Sequence, residues 1–193
     1  MASENSGLRA AVVFHGVQFL SWFVIFLIQS LLIPKNRILL HRRLGYFSAV
    51  VVVAICLDGP YIALEGVRRG VLGTDGIAFM AVMIGDIVGF AVFIALGMIY
   101  RRKPETHKRF MLLGTLSLLP PAIIRWPFIE GTQPAVGVVM MVLLAIAPLS
   151  DFASKRKVST VSLWGGVALL ASVPLRIAIS HSAVWHEFVK WLL

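Results

Sequence analysis

Six apolar runs, at about 10–33, 44–64, 77–100, 110–126, 134–150 and 160–179, occupy most of this chain and decide its solvent. A helix needs about 20 predominantly apolar residues to cross the hydrocarbon core of a bilayer, and each run is of that order, the fourth and fifth being the shortest. In lipid the backbone is satisfied only within helices or closed barrels, so the runs predict an all-α integral membrane bundle of six transmembrane helices. Composition agrees: 59% of the residues are hydrophobic and 14% charged, with a mean hydropathy of +0.88. The connections, Pro34-Lys35-Asn36-Arg37, then 66–75, 101–106, 127–134 and 151–157, are short and turn-rich. They leave no room for a soluble domain, so residues 1–193 read as a single six-helix domain. The opening Met1-Ala2-Ser3-Glu4-Asn5-Ser6-Gly7-Leu8-Arg9 lacks a basic n-region, and the apolar run behind it exceeds a signal h-region, which predicts a retained span.

The net charge of +9 does not indicate nucleic acid, because the basic residues gather in the loops between apolar runs. Twelve of the eighteen Lys and Arg lie at the first, third and fifth connections: Lys35, Arg37, Arg42, Arg43, Arg101, Arg102, Lys103, Lys108, Arg109, Lys155, Arg156 and Lys157. The positive-inside rule places these loops in the cytoplasm and both termini outside. The even spans open on similar sequences at His41 (H-R-R-L-G-Y) and His107 (H-K-R-F-M-L), with Ser159 in the third place, so the helices read as three hairpins of one orientation. The third span carries Gly85, Gly89 and Gly97, a small-residue stripe suited to close helix approach. From His181 to Leu193, Val184, Trp185, Phe188, Trp191 and Leu192 fall mostly on one side and Glu187 and Lys190 elsewhere, the pattern of a short amphipathic helix in the outer interface. The sole cysteine, Cys56, excludes an intrachain disulfide and a cysteine metal cluster.

Ionisable groups inside hydrocarbon are costly and normally face a cavity or a counter-charge. His15 and Gln18 on the first span, Asp58 on the second and Asp86 on the third lie in the outer half or near mid-depth, while Arg125 and Arg176 lie near the outer ends of the fourth and sixth. On the first span His15, Gln18, Trp22 and Gln29 recur at helical spacing and share an inward face. The functional expectation is an outward polar cavity in which Arg125 and Arg176 grip an anionic or quinone-like group while Asp86 or His15 exchanges protons. The plain structural alternative is that the acids and arginines pair to hold helices together, or that the arginines snorkel to headgroups.

The stretch from His107 to Arg125 links these themes, since it opens on a basic cluster, carries Pro120 and Pro121, and ends on a guanidinium about 27 Å away at 1.5 Å per residue. His41 and His107 head two helices running the same way and are the candidate axial ligands of a b-type haem, although each is followed by two basic residues at the headgroup boundary. The alternative for both is a helix-start histidine touching phosphate or a neighbouring helix. His181 and His186, five apart, face different ways and suit no metal pair. Hydrolase, nucleotide, zinc-protease and C-x-x-C motifs do not occur, which removes the usual grounds for proposing an enzyme.

The His-Arg-x-x-Gly start at His41 and the His-Lys-Arg-x-Met start at His107, with Arg125 eighteen residues on, resemble the signature of a group of functionally uncharacterised bacterial multispanning proteins. The Leu-Trp-Gly-Gly and Pro-Leu-Arg between Leu163 and Arg176 resemble the last helix of related proteobacterial proteins, which often carry a histidine where this chain has Ser159. The resemblance implies the same fold and a bacterial inner-membrane location, and brings no activity. Taken together, the expectation is a membrane protein that binds a small ligand, lipid or partner subunit through Asp86, Arg125, Arg176, His15, Asp58 and Gln18. A haem- or quinone-linked electron-transfer protein, or an accessory subunit of a membrane complex or homo-oligomer, are the alternatives.

Overall fold

The structure, a computed structural model, describes residues 2–129 and 133–193, and side chains from residue 10 onward except those of Gln133 and Lys155. Part of the expected connection at 127–134, and the Lys155 side chain counted among the cytoplasmic charges, therefore lie outside the described residues. The described chain is all-helical: α1 (Ala2–Leu32), α2 (Ile38–Arg68), α3 (Gly76–Ile99), α4 (Pro104–Ser117), α5 (Pro120–Ile123), α6 (Gln133–Lys155), α7 (Thr160–Ser180) and α8 (Ala183–Leu192). Five segments, Ala10–Leu32, Ile38–Arg68, Gly76–Ile99, Pro134–Ser154 and Thr160–Ser180, are long and apolar enough to cross a membrane, which marks a multi-pass membrane protein. Leu20, Leu57, Leu149 and Leu175 stand exposed on these helices, where hydrocarbon solvates them and water would not. By its contacts the chain forms two compact units, 1–76 and 77–193.

The first unit is the antiparallel hairpin of α1 and α2. His15, Gln18, Trp22, Ile25, Gln29 and Leu32 are all buried or half-buried, whereas Phe14, Val17, Leu20 and Leu27 are exposed. Steps of three and four repeated over seven residues make a seam that follows a neighbouring helix, as in a coiled coil. Small residues on α2 admit it: a Cβ added to Gly45 would lie 3.5 Å from Gln29 Nε2. The hairpin turns through Asn36, whose φ of 55° is a left-handed conformation that asparagine tolerates. At its far end Glu65 accepts from Arg68 Nη1 at 3.2 Å and Arg69 Nε at 2.9 Å.

In the second unit α4 is the interior helix, with every residue from Leu113 to Leu118 buried. Such a helix has neighbours all round and need not be uniformly apolar. Glycines set the approach. A Cβ at Gly97 would press on Met111 Sδ at 2.8 Å, and one at Gly114 on Ile94 Cδ1 at 2.7 Å, so α3 and α4 meet through reciprocal gaps. Phe93, Leu113, Leu116, Ile123, Val136, Met140, Leu144 and Leu169 form the continuous core shared by α3, α4, α5, α6 and α7.

The expected fourth span, 110–126, is not one helix. Leu118 and Leu119 donate to carbonyls three residues back, at 3.3 and 3.1 Å, and the chain resumes as the four-residue α5. Pro120 and Pro121 have no N–H, so no α-helical bond can form back to Leu116 and Ser117, and the ladder tightens and breaks there. The break is tolerated because it lies inside protein rather than against lipid. α8 follows α7 closely and docks by Val189, fully buried, and by Trp185, whose Nε1 donates to Ile77 O at 2.8 Å. Val189 was not among the residues expected on its apolar side. Val184, Phe188 and Trp191 form a second, exposed apolar stripe. Glu187 and Lys190 pair on the remaining face at 2.9 Å, and that hydrogen bond holds the Glu187 carboxyl below the usual carboxylate range. The contact is therefore ionised at neutral pH and lost only as pH falls through the lowered value.

Candidate functional site

The sequence-predicted polar residues divide between the two units. His15, Gln18 and Asp58 belong to the hairpin. His15 Nδ1 lies 2.6 Å from Asp58 Oδ2, with both side chains largely buried. Gln18, one turn further along the same seam, is 7% exposed, and its Oε1 has no hydrogen-bond partner among the described residues. The seam thus carries a joined acid and imidazole at one end and a buried acceptor beside them.

Asp86, Arg125 and Arg176 belong to the second unit, and the structure brings two of them together. Arg176 Nη1 donates to Asp86 Oδ1 between α7 and α3, with side chains 12% and 7% exposed. Gly85 makes this possible. An added Cβ there would overlap Arg176 at Cγ, Cδ and Nε, so the arginine lies flat across α3 where that helix has no side chain. At Gly89, one turn on, an added Cβ would stand 3.4 Å from Arg176 Nη2, ordinary contact. The glycine stripe expected to admit a helix admits, at Gly85, a side chain. Arg125 does not join the pair: it is exposed and donates to the Pro121 carbonyl, closing the last turn of α5.

Arg176 stands in the wall of a cavity of about 390 Å³ between α3 and α7. Its wall is otherwise apolar apart from Ser172, and runs from Ala81 and Trp185 at one end to Phe93 and Leu169 at the other. Ser172 Oγ donates to Leu169 O at 2.6 Å, which leaves its oxygen lone pairs as acceptors. A guanidinium has five N–H donors, and among the described residues Arg176 uses one hydrogen bond, the one to Asp86. The site can therefore present N–H donors to a ligand inside an apolar groove while the attached carboxylate neutralises the charge.

His41 and His107 lie in different units, and each ring is fixed through Nδ1 to a helix carbonyl: Gln29 O at 3.3 Å and Gly97 O at 2.7 Å. These bonds account for histidine at both helix starts by helix-to-helix contact. Among the described residues no group of three or more His, Cys, Asp or Glu side chains is placed to hold a metal ion. His186 Nε2 lies 3.0 Å from Ser180 O.

A second buried ion pair escaped the sequence reading. Arg109 on α4 donates to Asp151 on α6 and, at 2.8 Å, to Glu105, while Asp151 also accepts from Ser159 N at 3.3 Å. By sequence alone Arg109 reads as a loop charge and Asp151 as part of a connection. The available signal was the acid at the end of an apolar run beside a basic loop. Comparison of the chain with protein-family models, with curated proteins and with solved structures finds no match.

Proposed function

We propose that this multi-pass protein binds a membrane-soluble amphiphile in the groove between α3 and α7, with Arg176 as the polar contact and Asp86 as the group that makes a buried guanidinium affordable. The observation that carries it is Arg176, paired with Asp86 behind it, in the wall of the 390 Å³ cavity, a volume within the range of about 300–1,000 Å³ usual for small-molecule sites. Binding needs no catalytic group, and the reading is of a non-enzymatic ligand- or lipid-binding protein. The proposal includes the finer topology. In the same reading α4 and α5 together make a sixth crossing, with both termini outside and α8 in the outer interface of a bacterial inner membrane.

Removing both charges together tests the site without stranding one of them, since a buried pair replaced as a unit costs far less than a broken one. Protein purified in mild detergent should carry an amphiphile enriched over bulk lipid in its organic extract by mass spectrometry. D86N/R176Q should lose it while keeping its helix content by circular dichroism. Identical extracts from both proteins would refute the site.

A further inference from the structure

The pairing of Arg176 with Asp86 says what chemistry the groove accepts, and this inference deepens the proposal above and rests on it. The pair as a whole is neutral. A phosphate or carboxylate headgroup would add a second anion beside Asp86 in a low-dielectric wall, where one guanidinium cannot compensate both. A neutral acceptor has no such conflict. A carbonyl oxygen takes an N–H from Arg176 and leaves the ion pair intact.

The groove's shape fits the rest of such a molecule. Along α3 it extends from Ala81 to Phe93, about 18 Å at roughly 1.5 Å per residue, with the Arg176 stem across Gly85 and its Nη2 beside Gly89. To either side of it the lining, including Ile84, Val88, Val92, Phe93 and Leu169, is hydrocarbon apart from Ser172, a track for one chain. Trp185, fixed by its bond to Ile77 O, lines the groove at its Ala81 end. We infer that the ligand is a neutral single-chain lipid with a carbonyl head of the quinone class, its head oxygen on Arg176 and its tail along α3 and α7.

The probe is a decyl-substituted benzoquinone titrated into full-length protein in phosphatidylcholine nanodiscs, read by quenching of tryptophan fluorescence. The expected result is a saturable quenching phase, insensitive to salt, that weakens at least tenfold in D86N/R176Q and loses amplitude in W185F. Circular dichroism of each variant shows that the fold persists. Lysophosphatidylglycerol, titrated as competitor, should displace the quinone poorly. If it displaces the quinone well and in a salt-dependent way, the neutral class is wrong while the amphiphile site stands. If the quinone gives no saturable phase that depends on Arg176, and no amphiphile co-purifies, both the class and the site fall. Unchanged amplitude in W185F overturns the placement in this groove.

Discussion

Arg109→Met should destabilise the second unit by about 3–5 kcal/mol, the cost typical of leaving one member of a buried ion pair without the other. Arg109 and Asp151 are 7% and 9% exposed, and their bond ties the start of α4 to the end of α6. Without the guanidinium, the buried Asp151 carboxylate loses its bond to Arg109. The double variant R109M/D151L removes both charges and should return to within about 1 kcal/mol of the parent, because an apolar pair of similar size is often neutral or better. Lys108 supplies the contrast on the same helix. Its pair with Glu105, at 2.9 Å, has both side chains more than half exposed, so Lys108→Met should cost less than about 0.5 kcal/mol. Reversible unfolding in mixed micelles, followed by circular dichroism, measures all three. Equal stability of Arg109→Met and Lys108→Met would remove the case for a buried network.

Charge counting reads Arg109 as one of twelve basic residues at the connections, yet its side chain is buried. What counting along a sequence cannot see is which face of α4 meets α6: Arg109 is buried there against Asp151, while Lys108, one residue earlier, stays exposed. The same blindness affected the arginines at the outer ends. Arg125 and Arg176 were equivalent in sequence, each following a proline-containing stretch near the end of an apolar run. The broken helix before Arg125 turns its guanidinium back to Pro121 O, while α7 continues through Pro174 and carries Arg176 onto α3. Periodicity served well where one face had one neighbour. His15, Gln18, Trp22 and Gln29 share the inner face of α1, and the acid that meets His15 is one of those named from depth alone. Helical content and its apolar surface were legible because lipid imposes them on every residue of a span. The partners of each polar group depend on which helices adjoin, and hydropathy carries no record of that.

Gly85→Val is expected to be the most damaging change at the proposed site although it introduces only an isopropyl group. An added Cβ overlaps Arg176 at Cγ as well as at Cδ and Nε. Swinging the tip of the arginine cannot relieve a clash near its root, so either α7 shifts or the side chain leaves α3. The first route is overpacking, about 1–3 kcal/mol. The second parts Arg176 from Asp86 with both still buried, about 3–5 kcal/mol, and should also abolish co-purification of the amphiphile. Gly89→Ala meets its nearest neighbours at 3.4–3.6 Å and Gly137→Ala meets nothing within 4 Å, so both should cost less than about 1 kcal/mol. Because the obstructing atoms belong to a side chain and not to the α7 backbone, truncation should make room. G85V/D86A/R176A should therefore unfold later than Gly85→Val alone, a non-additive rescue that a purely helix-to-helix glycine contact would not show. If the triple variant is less stable than the single one, the glycine serves backbone approach, and the arginine does not lie where the site requires it.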